Sequence, residues 1–432
     1  SPSLLFTHAR LRLFNENLGS LQLCKLHLQV QPGGAPPGFQ GVLGAAAVAS
    51  LKQLRLSDCA VDDRRDAQLA AALSQLPAGL QHLSISGVYD KYRWVLVPTA
   101  VLQRLQQLTY LELARCRVQG PCEGQPALQP LRALTRLQDL RLRTDNGGIT
   151  ASMLLWIHHL TRLEVSGLAR NDQELPLEPG VLAGKTRLQR LKLECCKVSG
   201  GAAGAGQLLS DLQSLQQLTH LDCRSSMWES LPPAVAFSAL TSSSKLQHLD
   251  IRWLRLPAGV WQHVLPAGRQ LPHLMHLDIS HIIQEGSTSI PPAPEGRQLV
   301  GCCPGLQSLG VVGLHFGQDF LAAMQGLREL HTLSLIADAT TAADRLHGLC
   351  QLTGLRDLDL STPTNAQEEL LLQLTQLRQL TALRYTGAYE DDRESLYFAA
   401  KVSWALIRGS LHIFWRLCRH SACAAVVVKF EC

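Results

Sequence analysis

Aromatic residues are scarce: 7 Trp, 6 Tyr and 9 Phe in 432 residues. That scarcity argues against an ordinary enzyme core of mixed aliphatic and aromatic side chains. Long apolar runs are also missing, since no stretch of 18 or more uncharged apolar residues occurs, and shorter ones do not read as membrane-spanning helices. Neither sign of charge dominates. The 40 Lys and Arg against 35 Asp and Glu leave +5, too mild an excess to call for nucleic acid or an anionic membrane. The 13 Cys contain no Cys-x-x-Cys pair and no disulfide-framework spacing, and no Asn-x-Ser/Thr sequon is present. A reducing compartment follows, intracellular and most simply the cytoplasm. No signal peptide is visible and the first residue is Ser, so the expectation is a fragment or processed product.

Leucine is abundant instead, about 80 residues or roughly a fifth of the chain, a composition expected of a coiled coil or a leucine-based repeat. The 33 Gly and 21 Pro count against a continuous coiled coil. The pattern Leu-x-x-Leu-x-Leu starts at Leu51, Leu80, Leu108, Leu137, Leu160, Leu188 and Leu218. It continues at Leu246, Leu274, Leu306, Leu330, Leu355 and Leu380. These thirteen copies recur every 27 residues or so, about the period of a solenoid repeat. A fourteenth is read as starting at Leu23 (LCKLHL).

On these motifs the chain resembles the leucine-rich repeat family. Cys at the ninth position in Cys59, Cys116 and Cys196 resembles the ribonuclease-inhibitor-like and cysteine-containing subtypes. The implied fold is α/β, a curved horseshoe solenoid with parallel strands on the concave face and helices on the convex face. Residues 1–392 are assigned to the repeat domain and 393–432 to a C-terminal extension. That extension reads as a capping helix, a basic aromatic helix on a membrane or partner, or a poorly ordered tail.

The pattern has a physical basis independent of family. Positions four and six share one face of a short strand, while three, five and seven share the other. Leucines point in and variable residues point out. Stretches 63–76 and 206–218 carry leucine at helical spacing and predict return helices. Ninth-position thiols are expected to be small buried groups bonded to loop backbone. Pro/Gly-rich segments 31–41 and 284–296 predict loops, and DNGG (145–148) predicts a turn at a kink. The final intervals, from Leu306 to Leu330, Leu355 and Leu380, shorten to 24, 25 and 25 residues, which predicts less complete helices there.

No catalytic constellation emerges. GVLAGKT (180–186) has three residues between Gly180 and Gly184, where a phosphate-binding loop needs four, and it leads into a strand rather than a helix. Adjacent His158 and His159 point apart and make a poor metal pair. Vicinal Cys195–Cys196 and Cys302–Cys303 are expected to comprise one buried and one exposed thiol each. No cofactor or resident metal is expected.

The outward columns carry the functional expectation. His220, His248 and His276 fill the third position of consecutive repeats, Asp222, Asp250 and Asp278 the fifth, and Arg224, Arg252 and Ser280 the seventh. Crowded aspartates should have raised pKa values unless His and Arg compensate. Earlier repeats present Arg141, Arg143, Arg162, Arg190 and Lys192, broken by Glu164 and Glu194, with Arg115 at the edge and Arg55 further back. Later repeats are nearly neutral, with Ser308, Gly310, Val312, Thr332, Ser334 and Ile336. This graded face, with Trp228 and Trp253 as exposed anchors, suits one extended protein partner and neither nucleic acid nor membrane. The expected function is non-catalytic protein binding or scaffolding, such as a cytoskeletal or ciliary adaptor. Alternatives are the substrate receptor of an F-box-type ubiquitin ligase or a GTPase-activating regulator.

Overall fold

The computed structural model describes residues 10–14, 20–24, 50–59, 73–87, 95–119, 131, 133–144, 154, 157–167, 175–228, 230–284, 294–313, 318–337, 347–363, 374 and 376–388. Most of the helix expected over 63–76, the loop 31–41, most of the loop 284–296, the DNGG turn and the extension 393–432 lie outside the described residues. The chain divides into two compact units, Ser1–Leu218 with Ser226–Ser230, and Thr219–Ser225 with Leu231–Cys432.

In the first unit, strands Ser20–Cys24, Gln53–Cys59, His82–Gly87, Tyr110–Ala114, Asp139–Thr144, Arg162–Gly167 and Arg190–Glu194 pair in parallel, each with the next. Arg10–Phe14 adds an antiparallel strand at the edge. In the second unit, His220–Asp222, His248–Asp250, His276–Asp278, Ser308–Gly313, Thr332–Ala337, Asp357–Pro363 and Ala382–Ala388 pair in parallel likewise. Leucine aligns with leucine at every step, for example Leu140 with Leu163 and Leu249 with Leu277. A one-residue slip would turn every leucine outward.

The inward positions behave as the pattern requires. Leu80, Leu83 and Ile85, or Leu188, Leu191 and Leu193, are all buried, and each fully buried aliphatic side chain contributes about 1.5–3 kcal/mol. The register of the earliest repeat corrects the expectation. Leu21 pairs with Leu54 and Leu23 with Leu56, so Leu23 occupies the sixth position and the frame starts at Leu18. Two overlapping Leu-x-x-Leu-x-Leu frames exist there, and only the pairing partner distinguishes them.

Five of the strands end in the same device. Arg115, Cys195, Ser225, Trp253 and His281, all at the eighth position, have φ between 52° and 60°. Left-handed backbone disfavours L-residues, and the N–H groups of Arg115, Ser225 and Trp253 donate to the carbonyls of Arg143, Arg252 and Ser280 in the following repeat, 2.7, 2.8 and 3.3 Å away. The ninth residue then turns inward. Cys116 Sγ lies 3.4 Å from the Ile85 carbonyl and Cys196 Sγ 3.8 Å from that of Val165, as expected of buried thiols. Ser226 does the same work, its hydroxyl donating to the Leu193 carbonyl at 2.8 Å.

The return segments are short. The helix expected over 206–218 spans Gly201–Gln213. Others are brief, such as Gln318–Met324, and His347–Gln351 is a single 3-10 stretch, in keeping with the shortened late repeats.

Candidate functional site

The first unit's outward face is less basic than its sequence promised, because its charges alternate. Down the fifth position, Glu112 pairs in register with Arg141, Arg141 with Glu164, and Glu164 with Lys192. Opposite charges on neighbouring strands stabilise each other. Glu164, only 4% exposed, is the hub. Arg143 reaches it at 2.9 Å, Arg162 and Lys192 at 3.7 Å, and Arg141 at 3.9 Å. Lys192 also pairs with Glu194 at 2.8 Å. Burial works against charge on Glu112, but hydrogen bonds from Ser84 and Tyr110, at 2.8 and 2.9 Å, hold its pKa below the usual value. Arg190 is exposed.

The second unit balances its charges differently. Its aspartates stand in one register column, Asp222 beside Asp250 beside Asp278. Compensation comes from the seventh position of the same repeat. Arg224 binds Asp222 at 3.2 Å, Arg252 binds Asp250 at 2.7 Å and also reaches Asp278 at 3.2 Å. Ser280 donates its hydroxyl and its amide to Asp278 at 2.7 and 3.1 Å. The column ends at Gly310, where an added Cβ would stand 2.5 Å from the Asp278 carboxyl.

The three histidines stack face to face, with ring centroids 5.7 Å apart for His220–His248 and 4.2 Å for His248–His276. Burial, then the neighbouring His276, lowers the His248 pKa to about 4. Burial lowers that of His276 as well. The His248 and His276 rings are therefore neutral at pH 7.

Three sequence expectations need correction. Trp228 is not an exposed anchor. It is 7% exposed, because it aligns with Val198 on a short second strand whose eleventh-position residues, Val118, Val198 and Trp228, all face inward. Trp253 is the exposed one, at 50%. Val312 is buried rather than part of a neutral outer column. Both members of each vicinal cysteine pair are buried. Cys195 sits in the left-handed turn, and Cys303 fills a slot usually held by leucine, where burial pushes its pKa up to about 12.

One feature escaped the sequence reading. Lys185 lies three residues before Leu188, the slot held by buried Leu105, Leu134, Ile157 and Leu215 in other repeats. It is completely buried, its Nζ lacks a hydrogen bond, and so does Oδ2 of Asp211. Burial lowers the Lys185 pKa to about 8, with Asp211 opposing.

Among the described residues, no group of three or more His, Cys, Asp or Glu could hold a metal ion. Nor is any described helix long and apolar enough to cross a membrane.

No family model and no characterised protein matches the sequence. Solved structures do resemble the fold. An internalin from Listeria monocytogenes is 15% identical, with a TM-score of 0.50 over 87% of this chain and 88% of that one. A leucine-rich repeat protein from Leptospira interrogans is 17% identical, with a TM-score of 0.48 over 81% and 83%. The ectodomain of an Arabidopsis receptor kinase, solved with a peptide hormone, is 16% identical, with a TM-score of 0.42 over 79% and 52%. At such identities the likeness is one of fold. The parallel strand ladder, the leucine register and the internalin likeness together establish an α/β leucine-rich repeat fold.

Proposed function

We propose that this chain is a non-catalytic recognition module that binds a protein partner through its outward strand positions, the concave face of the repeat fold. The supporting observation is the preordering of that face. Its charged side chains are held by one another and its exposed Trp253 is held by a stacking neighbour, so little side-chain freedom is lost on binding. The proposed contacts are Arg141, Arg143, Arg162, Arg190 and Lys192 in the first unit. In the second they are His220, Asp222, Arg224, His248, Asp250, Arg252, Trp253, His276 and Asp278. Seven buried, reduced cysteines among the described residues fit a reducing, intracellular compartment.

Photo-crosslinking side chains placed singly at Arg143, His276 and Trp253 should yield adducts with the partner in cells. The same group at Gln213, exposed on the helical side, should not. Adducts confined to Gln213 would refute the proposal.

A further inference from the structure

Along one margin of the first unit's strands, third-position residues line a groove of about 390 Å³. One end is flat and uncharged. There the half-buried His82 ring stacks on Tyr110 with ring centroids 4.5 Å apart; Tyr110 itself is buried, 8% exposed, with the Arg141 guanidinium 5.0 Å from its ring centroid. Burial lowers the pKa of His82 and raises that of Tyr110 to about 12, so both rings are neutral at pH 7. The other end is cationic. Arg162 and Arg190 stand side by side in register. Arg162 has only distant partners, Glu164 at 3.7 Å and Asp139 at 3.9 Å. The Arg190 guanidinium has neither an ion-pair nor a hydrogen-bond partner among the described residues. Between the ends, Asp139 is occupied by Arg141, which donates to both its oxygens at 3.2 Å.

We propose that this groove takes an extended acidic segment of the protein partner, with two carboxylate side chains on Arg162 and Arg190 and a flat aromatic side chain on the His82 ring. The proposal rests on the reading of the strand face as a protein-binding surface and specifies the chemistry it recognises there. Spacing defines the segment. His82 and Arg162 are three strands apart, about 14 Å at 4.8 Å per strand, which extended chain spans in about four residues. A nucleic acid fits poorly. Its charge is continuous, whereas carboxylates at Glu112, Asp139 and Glu164 interrupt the cations along the face. Two discrete carboxylates beside an uncharged group match the arrangement.

The test is fluorescence anisotropy on the full chain with a labelled peptide carrying tryptophan four residues before the first of two glutamates set two residues apart, so that all three side chains share one face of an extended chain. Controls are the same peptide with two lysines and a single-stranded oligodeoxythymidine. The acidic peptide should bind and the lysine peptide should not. Arg190→Glu and Arg162→Glu should each weaken binding by about tenfold or more, as loss of a charge contact at an interface does. Arg190→Lys should retain most of it, and Gln213→Ala, on the exposed helical side, should leave it unchanged. Because Arg190 is exposed and unpaired, its variants should fold, as circular dichroism would verify. Equal binding of both peptides, no binding, preference for the oligonucleotide, or indifference to Arg190→Glu would each overturn the assignment. Crosslinks at Arg143 and Trp253 without acidic-peptide binding would sink the groove alone. Peptide binding without those crosslinks would sink the broader reading instead.

Discussion

The indole of Trp253 lies flat against the imidazole of His281, with ring centroids 3.9 Å apart and planes within 3°. Both residues occupy left-handed backbone, which costs about 1–2 kcal/mol each for an L-residue. Stacking offsets about 0.5–1.5 kcal/mol of that. A half-exposed tryptophan held rigid in a place where glycine would carry no strain has the character of a binding anchor. Trp253→Ala should weaken partner binding by about tenfold or more with only a small change in melting temperature. Calorimetric titration with the crosslinked partner would measure it, and an unchanged Kd would remove Trp253 from the interface.

Lys185 and Asp211 are buried neighbours that attract each other electrostatically without a hydrogen bond between them, and each keeps an unsatisfied atom. Such pairs are often less stabilising than apolar residues of similar volume, although removing one partner alone is costly. Asp211→Ala alone should destabilise the chain by about 3 kcal/mol. The double variant Lys185→Leu with Asp211→Ala should be more stable than the parent by about 2 kcal/mol. The pH dependence follows from the lowered lysine pKa. The unfolded chain holds the proton up to about pH 10.5 and the folded chain only to about 8, so stability should rise across that interval. Urea titrations at pH 7.5 and 10 should show the rise in the parent and its loss in the double variant.

The histidine stack predicts acid sensitivity. His248 has its folded pKa lowered to about 4, while an unfolded histidine titrates near 6.5. The unfolded state therefore takes up the proton first, and stability is retained above pH 6.5 and lost as pH falls toward 4. His248→Gln should flatten that loss by about 2 kcal/mol. Parallel slopes for parent and variant between pH 7 and pH 4.5 would contradict the prediction.

Two glycines should respond oppositely to alanine. At Gly167, an added Cβ would lie 2.4 Å from the Cys195 carbonyl oxygen, a backbone atom fixed by the adjoining repeat. Gly167→Ala should cost about 2 kcal/mol or more through overpacking. Gly206, within the Gly201–Gln213 helix, has nothing within 4 Å of such an atom. Gly206→Ala should stabilise by about 0.5–1 kcal/mol from helix propensity and reduced unfolded-state entropy. Chemical denaturation of the pair measures both signs.

The leucine period made the fold legible, because a parallel ladder requires inward residues to recur at fixed spacing, as Leu140 and Leu163 do. The start of the earliest repeat was ambiguous because Leu18 and Leu23 satisfy the same motif, and register is a property of the partner strand. The burial of Trp228 was readable in principle, since Val118 and Val198 hold the same eleventh position. Lys185 was readable too. Alignment on the slot three residues before each leading leucine sets it against Leu105 and Leu134, whereas comparison with a phosphate-binding loop drew attention to Gly180 and Gly184 instead. Charge pairing was not readable by counting. Arg143 and Lys192 look like a basic patch until the buried carboxylate of Glu164 joins them.

The two manners of balancing charge constrain how the array could have grown. In the second unit Asp222 with Arg224 and Asp250 with Arg252 are each complete within one repeat, so duplication or deletion of a whole repeat carries its counter-ion with it. In the first unit Glu164 is answered from both neighbouring repeats, by Arg141, Arg143 and Lys192, although Arg141 and Lys192 also pair with Asp139 and Glu194 of their own repeats. Excision of the repeat bearing Glu164 would set Arg141 against Lys192 and leave both unanswered in that column. The order of the repeats around Glu164 is thus more tightly constrained than that of the repeats bearing Asp222 and Asp250.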